Sequence, residues 1–150
     1  MILRAFTSRR IANLEPEIEH LTNHLLDQVD LDGFDLISAF AQRIPVIVIA
    51  RMLGVPENRC DVLLVWSHAM VGMYQAIRTK SDEIAAAEAA EAFSGFLLDY
   101  VDFRRSRPAD DLITHLIAAE EDGEKLSTAE LISTCILLLN AGHEATVHTI

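Results

Sequence analysis

The sequence predicts an all-α fold, and three observations support this class. Apolar residues recur every three or four positions over long stretches, as at Ile18, Leu21, Leu25 and Val29. The four prolines and six glycines act as punctuation between such stretches. An alanine-rich segment of good helix formers begins at Ser81. A hydrophobic fraction of 51% in 150 residues supplies ample material for a core.

The first half of the chain is predicted to hold two helices joined by a turn. Pro16 fits the first turn of the first helix, where its missing N–H removes no hydrogen bond. The segment "DGFDLIS" around Gly33 predicts a turn with a short extended piece. "AFAQRIPVIVIARMLG" predicts a buried helix that ends at Gly54. Because Pro45 lies inside that pattern, we expect this helix either to start late or to kink.

Prolines and a capping box delimit the helices of the second half. Pro56 opens the helical segment "PENRCDVLLVWSHAMVGMY". The alanine-rich helix is predicted to run to about Arg107, where Pro108 ends it. "DDLITHLIAA" predicts a short helix. Ser127 and Glu130 then form a capping box that begins the last helix.

Both ends of the chain are predicted to lie inside helices that continue in a longer parent chain. The sequence starts on the apolar run "MILRAF" and stops at Ile150 without a glycine, a proline or a basic last turn. We therefore expect residues 1–150 to form a single partial domain that is truncated at both ends.

Charge and cysteine content restrict the partners and the compartment. The formal net charge of −11 argues against nucleic acid or an anionic membrane as a partner. Cys60 and Cys135 lie far apart, which favours a reduced, cytoplasmic compartment. The most apolar segment, "IPVIVIARMLGV", is too short to span a bilayer and contains Arg51.

The last helix carries the stretch "LLLNAGHEATVHTI", which combines a glycine and a carboxylate with an apolar run. Gly142 in a helix interior costs about 1 kcal/mol relative to alanine, so its missing side chain can make room for a ligand. Glu144 would then be a buried proton carrier beside that ligand. The alternative is that Gly142 relieves crowding between helices and Glu144 faces solvent.

The stretch "AGHEAT", set in "ELISTCILLLNAGHEATVHTI", resembles the oxygen-binding I helix of the cytochrome P450 haem monooxygenases. "LRAFTSRRIANLEPEIEHLTNHLLDQV" resembles the end of the family's C helix and its D helix, and "GFDLISAFAQRIPVIVIARMLGVP" the next strand and the E helix. "PENRCDVLLVWSHAM" resembles the start of the F helix, and "RSRPADDLITHLIAAEEDGEKLSTAEL" the approach to the I helix. The resemblance therefore implies a partial P450 fold, from the end of helix C to the middle of helix I, in the style of the soluble bacterial members.

This resemblance implies roles for several residues of the last helix. Ala141, Gly142 and Ala145 would border the haem and dioxygen, where the helix is expected to bulge. Glu144 would help to deliver protons through water. The family usually places a threonine directly after this acid, whereas here Ala145 follows it and Thr146 comes next, about 100° further around the helix. Glu144 and Thr146 are the predicted catalytic residues.

The same resemblance implies a substrate pocket and electron-transfer partners. The predicted substrate-binding residues lie on the last helix and on the helix after Pro56: Leu137, Asn140, Trp66, Ala69, Met70 and Met73. Ordinary core packing is the alternative role for Trp66, Ala69, Met70 and Met73. The complete protein would use haem, dioxygen, a small organic substrate and a ferredoxin-type electron donor.

The iron ligand of the family is absent from this chain. That cysteine lies in an F-x-x-G-x-x-x-C-x-G stretch, and neither "NRCDV" around Cys60 nor "ISTCIL" around Cys135 matches it. We interpret both as inert thiols and predict no metal ligand in this chain. The segment alone is expected to be inactive.

Three other functions were weighed against this one. "HEATVH" places His143 and His148 at i and i+5, whereas a zinc helix needs i and i+4. Glu17, His20 and His24 resemble half of a carboxylate di-metal site, but no second copy exists, which favours a solvated polar face. A non-enzymatic helical interaction module or a gene remnant remains the alternative.

Overall fold

The computed structural model describes residues 8–30, 32–121, 126–147 and 149. In this part of the chain the structure is helical and contains no strand, which confirms the predicted all-α class. The six α-helices are α1 (Ser8–Leu26), α2 (Arg43–Leu53), α3 (Cys60–Val71), α4 (Lys80–Ser106), α5 (Leu112–Glu121) and α6 (Thr128–Val147). None of the described helices is both long and apolar enough to cross a membrane.

Helix α1 begins before Pro16, so the prediction that this proline lies in the first turn is wrong. Pro16 lies in the middle of the helix. Its ring nitrogen cannot donate to the carbonyl of Ala12, four residues earlier. Because Ala12 is exposed, water can satisfy that carbonyl. A helix that starts upstream therefore tolerates the proline.

The segment after α1 forms a π-helical turn, not the predicted extended piece. Asp35 Oδ1 accepts hydrogen bonds from the backbone N–H groups of Ile37, at 2.8 Å, and Ser38, at 2.9 Å. The bond from Ser38 is the main cause that lowers the pKa of Asp35. This side chain starts the turn Ile37–Ala41, and the strand implied by the resemblance is absent from residues 32–42. Helix α2 then begins at Arg43 with Pro45 in its first turn, which confirms the late start.

The predicted helix boundaries of the second half are confirmed. A 3₁₀ turn, Glu57–Arg59, links Pro56 to α3, and α4 ends just before Arg107. Helix α6 has its capping box, since Glu130 Oε2 accepts from Ser127 N at 2.7 Å and Glu130 N donates to Ser127 Oγ at 3.2 Å. A second capping box, not predicted, begins α4, where Thr79 pairs with Asp82.

Helix α6 runs through the centre of the packed segment. It contacts α2, α3, α4 and α5, and α3 packs along α4. The largest side chains that are almost completely buried come from five helices: Val46, Leu53, Leu63, Phe93, Leu97, Val101, Ile113, Leu116, Leu131, Cys135, Leu139 and His143. The core is therefore one apolar cluster, and one side of α6 is packed into it.

A buried polar cluster joins the end of α2 to α4 and α5. Gly54 ends α2 with φ +78°, and its carbonyl accepts hydrogen bonds from the Tyr100 hydroxyl and from Arg104 Nη2, the latter at 3.0 Å. Arg104 Nε lies 2.6 Å from Oδ2 of the buried Asp111. Asp111 Oδ1 also accepts from the N–H of Thr114 at 2.8 Å and so caps α5. Arg104 thus binds the carbonyl at the end of α2, and its ion-pair partner Asp111 caps the start of α5. This buried pair fixes how α2, α4 and α5 meet.

Replacement of Gly54 tests this junction. A Cβ atom at Gly54 would clash with the Asp111 carboxylate, and φ +78° is strained for any other residue. We expect Gly54→Ala to lower the free energy of unfolding by about 2–4 kcal/mol, measured by urea denaturation. The matched control is Gly95→Ala on α4, where nothing lies within 4 Å of the added Cβ. This control should be neutral or stabilising by up to about 1 kcal/mol, and an equal loss in both variants would contradict the assignment.

Candidate functional site

Helix α6 has one side in the core and one side open. Leu131, Cys135 and Leu139 are fully buried. On the other side Leu137 is 64% exposed, and Ala141 and Ala145 follow it at four-residue intervals, both exposed. Residues four apart lie above one another on a helix, so these three side chains form one continuous stripe. We call Leu137, Ala141 and Ala145 the open face of α6.

The open face is apolar and has little side-chain bulk over its last turn. Methyl groups at Ala141 and Ala145 allow a flat molecule to lie close to the α6 backbone, as the family resemblance implies for a haem. Towards the start of the helix, Leu137 lines an open groove of about 400 Å³ with Leu126, Ala129 and Thr134. Glu144 lies next to Ala145 and is half-buried. An apolar surface with one carboxylate at its border fits a planar apolar cofactor with a proton carrier beside it.

Gly142 points away from the open face, towards α2. A Cβ atom on Gly142 would lie 2.8 Å from Ile49 Cδ1. Gly142 and Ile49 also line an apolar cavity of about 140 Å³ together with Met52 and Leu138. The geometry thus supports the alternative that this glycine relieves crowding between helices. Its predicted cofactor contact remains a prediction.

The expected bulge of α6 is absent. Thr128–Val147 is a continuous α-helix. Thr146 Oγ1 donates to the carbonyl of Gly142, one turn earlier, at 2.7 Å. The Thr146 hydroxyl is therefore engaged by the backbone of its own helix. Its predicted catalytic role stays a prediction.

The predicted substrate residues occupy different places around α3. Asn140 on α6 meets Met70 on α3, with Nδ2 4.0 Å from Sδ. Ala69 lines a polar cavity beside His68, and Met73 lies in the 3₁₀ turn Gly72–Tyr74. The structure thus brings Met70 and Asn140 together, whereas Leu137 lies on the open face of α6 and Met73 in the turn after α3.

Trp66 packs against α4. Its ring centroid lies 5.4 Å from that of Phe93 and 5.9 Å from that of Phe96. These contacts support the core-packing role that was the alternative for this residue. Its predicted contact with substrate is not tested by this arrangement.

A buried histidine at the centre of the motif was not predicted to have a role. His143 is 1% exposed, and its ring centroid lies 5.2 Å from that of His68 on α3. Burial is the main cause that lowers the pKa of His143, and the nearby His68 lowers it further. The only indication in the sequence was the position of His143, two residues after Ala141. This spacing places His143 on the side of the helix opposite to the open face. His143 therefore stays neutral at physiological pH.

Neither cysteine behaves as a ligand. Cys60 and Cys135 are free and buried. Burial is the main cause that raises the pKa of Cys60 to about 11 and that of Cys135 to about 12. Both thiols therefore stay protonated at neutral pH, whereas metal ligation needs the thiolate.

The other histidine motifs form no metal centre in the described part of the chain. No group of three or more His, Cys, Asp or Glu side chains there is arranged to hold a metal ion. Glu17, His20 and His24 are exposed on α1. His148 lies outside the described residues.

Comparison with known proteins places these features in a family. No protein-family model matches the chain. It is 39% identical over 151 residues to cytochrome P450 107B1 of Saccharopolyspora erythraea, a match that covers 100% of this chain and 36% of that protein. It is 37% identical over 148 residues to mycinamicin IV hydroxylase/epoxidase of Micromonospora griseorubida, covering 97% of this chain and 36% of that protein.

Solved structures give the same result. Mycobacterium smegmatis CYP164A2 with econazole bound is similar with a TM-score of 0.89 and 38% identity, over 97% of this chain and 38% of that one. P450BioI in complex with an acyl carrier protein that carries hexadec-9Z-enoic acid is similar with a TM-score of 0.88 and 33% identity, over 95% of this chain and 37% of that one.

These matches identify the chain as part of a cytochrome P450, which confirms the resemblance seen in the sequence. The chain spans about 36% of the length of the curated relatives it matches. Haem and iron binding are known for this family. The open face of α6 fits that cofactor, because it is apolar and its last turn carries only the small side chains of Ala141 and Ala145, while the two buried thiols do not fit the axial ligand.

A double-mutant cycle tests whether Ile49 is the reason for Gly142. In the native sequence we expect Gly142→Ala to change the free energy of unfolding by less than about 1 kcal/mol, because the gain in helix propensity offsets the contact with Ile49 Cδ1. In an Ile49→Val background, which lacks that methyl group, the same change should stabilise the protein by about 1 kcal/mol. Urea denaturation of the four proteins measures both effects. An identical effect in both backgrounds would exclude Ile49 as the cause.

Proposed function

We propose that the protein containing this segment is a haem-thiolate monooxygenase that places one oxygen atom from dioxygen into a small organic substrate. The observation that carries the proposal is the open face of α6, with Glu144 at its border, in a chain 36–40% identical to cytochromes P450. The relatives include a hydroxylase/epoxidase and a vitamin D(3) 25-hydroxylase. Such a reaction also consumes two electrons and two protons and releases water.

Ala141 and Ala145 would lie against the haem. When bound, the haem iron with its cysteine ligand activates dioxygen. Both alanines leave the α6 backbone accessible over one helical turn. The contribution of this chain is thus a dry, small-residue surface that fixes how closely the cofactor and dioxygen approach α6.

Glu144 is the residue of this chain that would deliver protons. It is half-buried at the border of the open face, one position before Ala145. Ala145 has no hydroxyl, and the Thr146 hydroxyl is bound to the Gly142 carbonyl at 2.7 Å. Protons would therefore pass from Glu144 through ordered water to the space over Ala145, since no side-chain hydroxyl stands between them.

Asn140 and Met70 would form part of the substrate roof, together with Leu137, Ala69 and Met73. Asn140 and Met70 meet across the α3–α6 interface, which places one amide among apolar side chains. Such a lining favours an apolar substrate oriented by a single polar group. A ferredoxin-type donor would supply the electrons, and the protein would act in the cytoplasm. The segment alone would be inactive, because neither of its thiols can serve as the iron ligand.

A carbon monoxide difference spectrum of the complete protein tests the cofactor assignment. We expect the reduced protein to show the red-shifted Soret band of a thiolate-ligated haem. The 150-residue segment, prepared in the same way with added haem, is the matched control and should not show this band. A folded complete protein without the band would overturn the proposal and favour a helical interaction module.

Replacement of Glu144 tests proton delivery. We expect Glu144→Gln to lower product formation per electron pair consumed by at least about a hundredfold, the low end of the effect of a positioned proton donor. Haem content and substrate affinity should not change. The control is Glu88→Gln on the exposed side of α4, which should retain native coupling. Native coupling in Glu144→Gln would remove this residue from the proton path.

A further inference from the structure

Buried polar side-chain atoms without a hydrogen-bond partner occur at two places in the described residues: Arg104 Nε and Asp111 Oδ2, which form an ion pair at 2.6 Å, and a larger group on α3 and α6. The larger group includes Ser67 Oγ on α3, Asn140 Oδ1 on α6, and both ring nitrogens of His143. Asn140 and His143 lie one turn apart on the same side of α6. A buried polar atom left without a partner costs about 1–3 kcal/mol, so the contact between α3 and α6 is held less firmly than the apolar core around it.

The ring of His143 packs against the ring of His68 on α3. The two rings meet at 5.2 Å between centroids, with an interplanar angle of 54°. His68 is exposed and lines a polar cavity of about 200 Å³ with Gln75, Arg78 and Asp82. The ring of His143 itself is 1% exposed and does not line this cavity.

The surroundings of His143 accommodate a neutral ring better than a charged one. Burial and the neighbouring His68 both lower its pKa, while Glu144 on α6 acts in the opposite direction. Arg78 and Asp82, of opposite sign, line the same cavity as His68. A protonated His143 would need acceptors for two N–H groups, and neither ring nitrogen has one.

The lowered pKa of His143 makes the contact between α3 and α6 less stable at low pH. Because the pKa of His143 is lower when α3 and α6 are packed, the separated state binds the proton more tightly. The packed state has its full stability above the ordinary histidine pKa. It loses stability as the pH falls from that value towards the lowered one.

We propose that His143 is a positioning residue that holds α3 against α6 in its neutral form and releases α3 when it is protonated. Helix α3 carries Ala69 and Met70, so release would widen the roof of the substrate pocket. That consequence rests on the proposed function, whereas the movement of α3 does not. Acidification therefore acts as an opening signal built into the α3–α6 interface.

Amide hydrogen exchange of the complete protein, followed by mass spectrometry, tests this movement independently of haem chemistry. Peptides from 60–71 are compared at about pH 7.5 and about pH 5.5, with correction for the intrinsic pH dependence of exchange. Uptake of one proton changes an opening equilibrium by up to about tenfold per pH unit. We expect α3 to lose protection at the lower pH while α5 keeps it. Unchanged protection of α3 would overturn the proposal.

Two variants distinguish a role that depends on protonation of His143 from a purely structural role of this residue. His143→Phe should stay protected at both pH values, because the apolar ring cannot be protonated. His68→Gln, at an exposed position, should lose less protection at the lower pH, because without His68 the pKa of His143 in the packed state lies closer to its ordinary value. This second variant decides the matter if His143→Phe does not fold.

The matched control is His115→Gln on α5, an exposed histidine 2.9 Å from Asp110 Oδ1. It should keep the native pH profile of α3. A folded His143→Phe that still loses protection at low pH would overturn the proposal, as would a His68→Gln profile equal to the native one. A protein that shows the pH effect but lacks the thiolate haem band would refute the proposed function alone.

Discussion

Helix α6 has to meet two opposite requirements, and the arrangement of the segment follows from them. One side carries Leu131, Cys135 and Leu139 into the core, where four other helices pack against it. The other side has to stay free of large side chains from Ala141 to Ala145 if the haem lies there as proposed. The apolar cluster meets the first requirement, because burial of its surface from water stabilises the packing of α6. The choice of alanine at two successive turns supplies the second.

Small residues within one short motif serve different neighbours. Ala141 and Ala145 lie on the open face, whereas Gly142 lies about 100° away and accommodates Ile49 on α2. The motif therefore combines an exposed small-residue surface, where we propose that the haem lies, with a site of close helix packing. Thr146 adds a third role, because its hydroxyl is bound to the backbone of α6. The residues of such a motif therefore have different neighbours, and the chemical role of each one depends on its own contacts.

Buried polar groups show where this segment is rigid and where it can move. Around Gly54, the Tyr100 hydroxyl and the Arg104–Asp111 ion pair join three helices with partners for the groups at the helix ends. Between α3 and α6, Ser67 and His143 have no such partners. Fully connected polar networks stiffen a core, whereas incompletely connected ones leave it close to an alternative state. The two clusters therefore divide the segment into a fixed junction and a pH-sensitive interface.

The sequence by itself determined the helical class, most helix boundaries and the family. Helical periodicity, prolines and the Ser127–Glu130 box are local signals, and the motif of α6 is a continuous stretch. Pro16 was misplaced because a helix that begins upstream tolerates it, and the turn before α2 depends on hydrogen bonds to Asp35. Only the tertiary structure decided that Gly142 meets Ile49 and that His143 meets His68. Those contacts join residues far apart in the chain, and no local pattern encodes which side of a helix will face which neighbour.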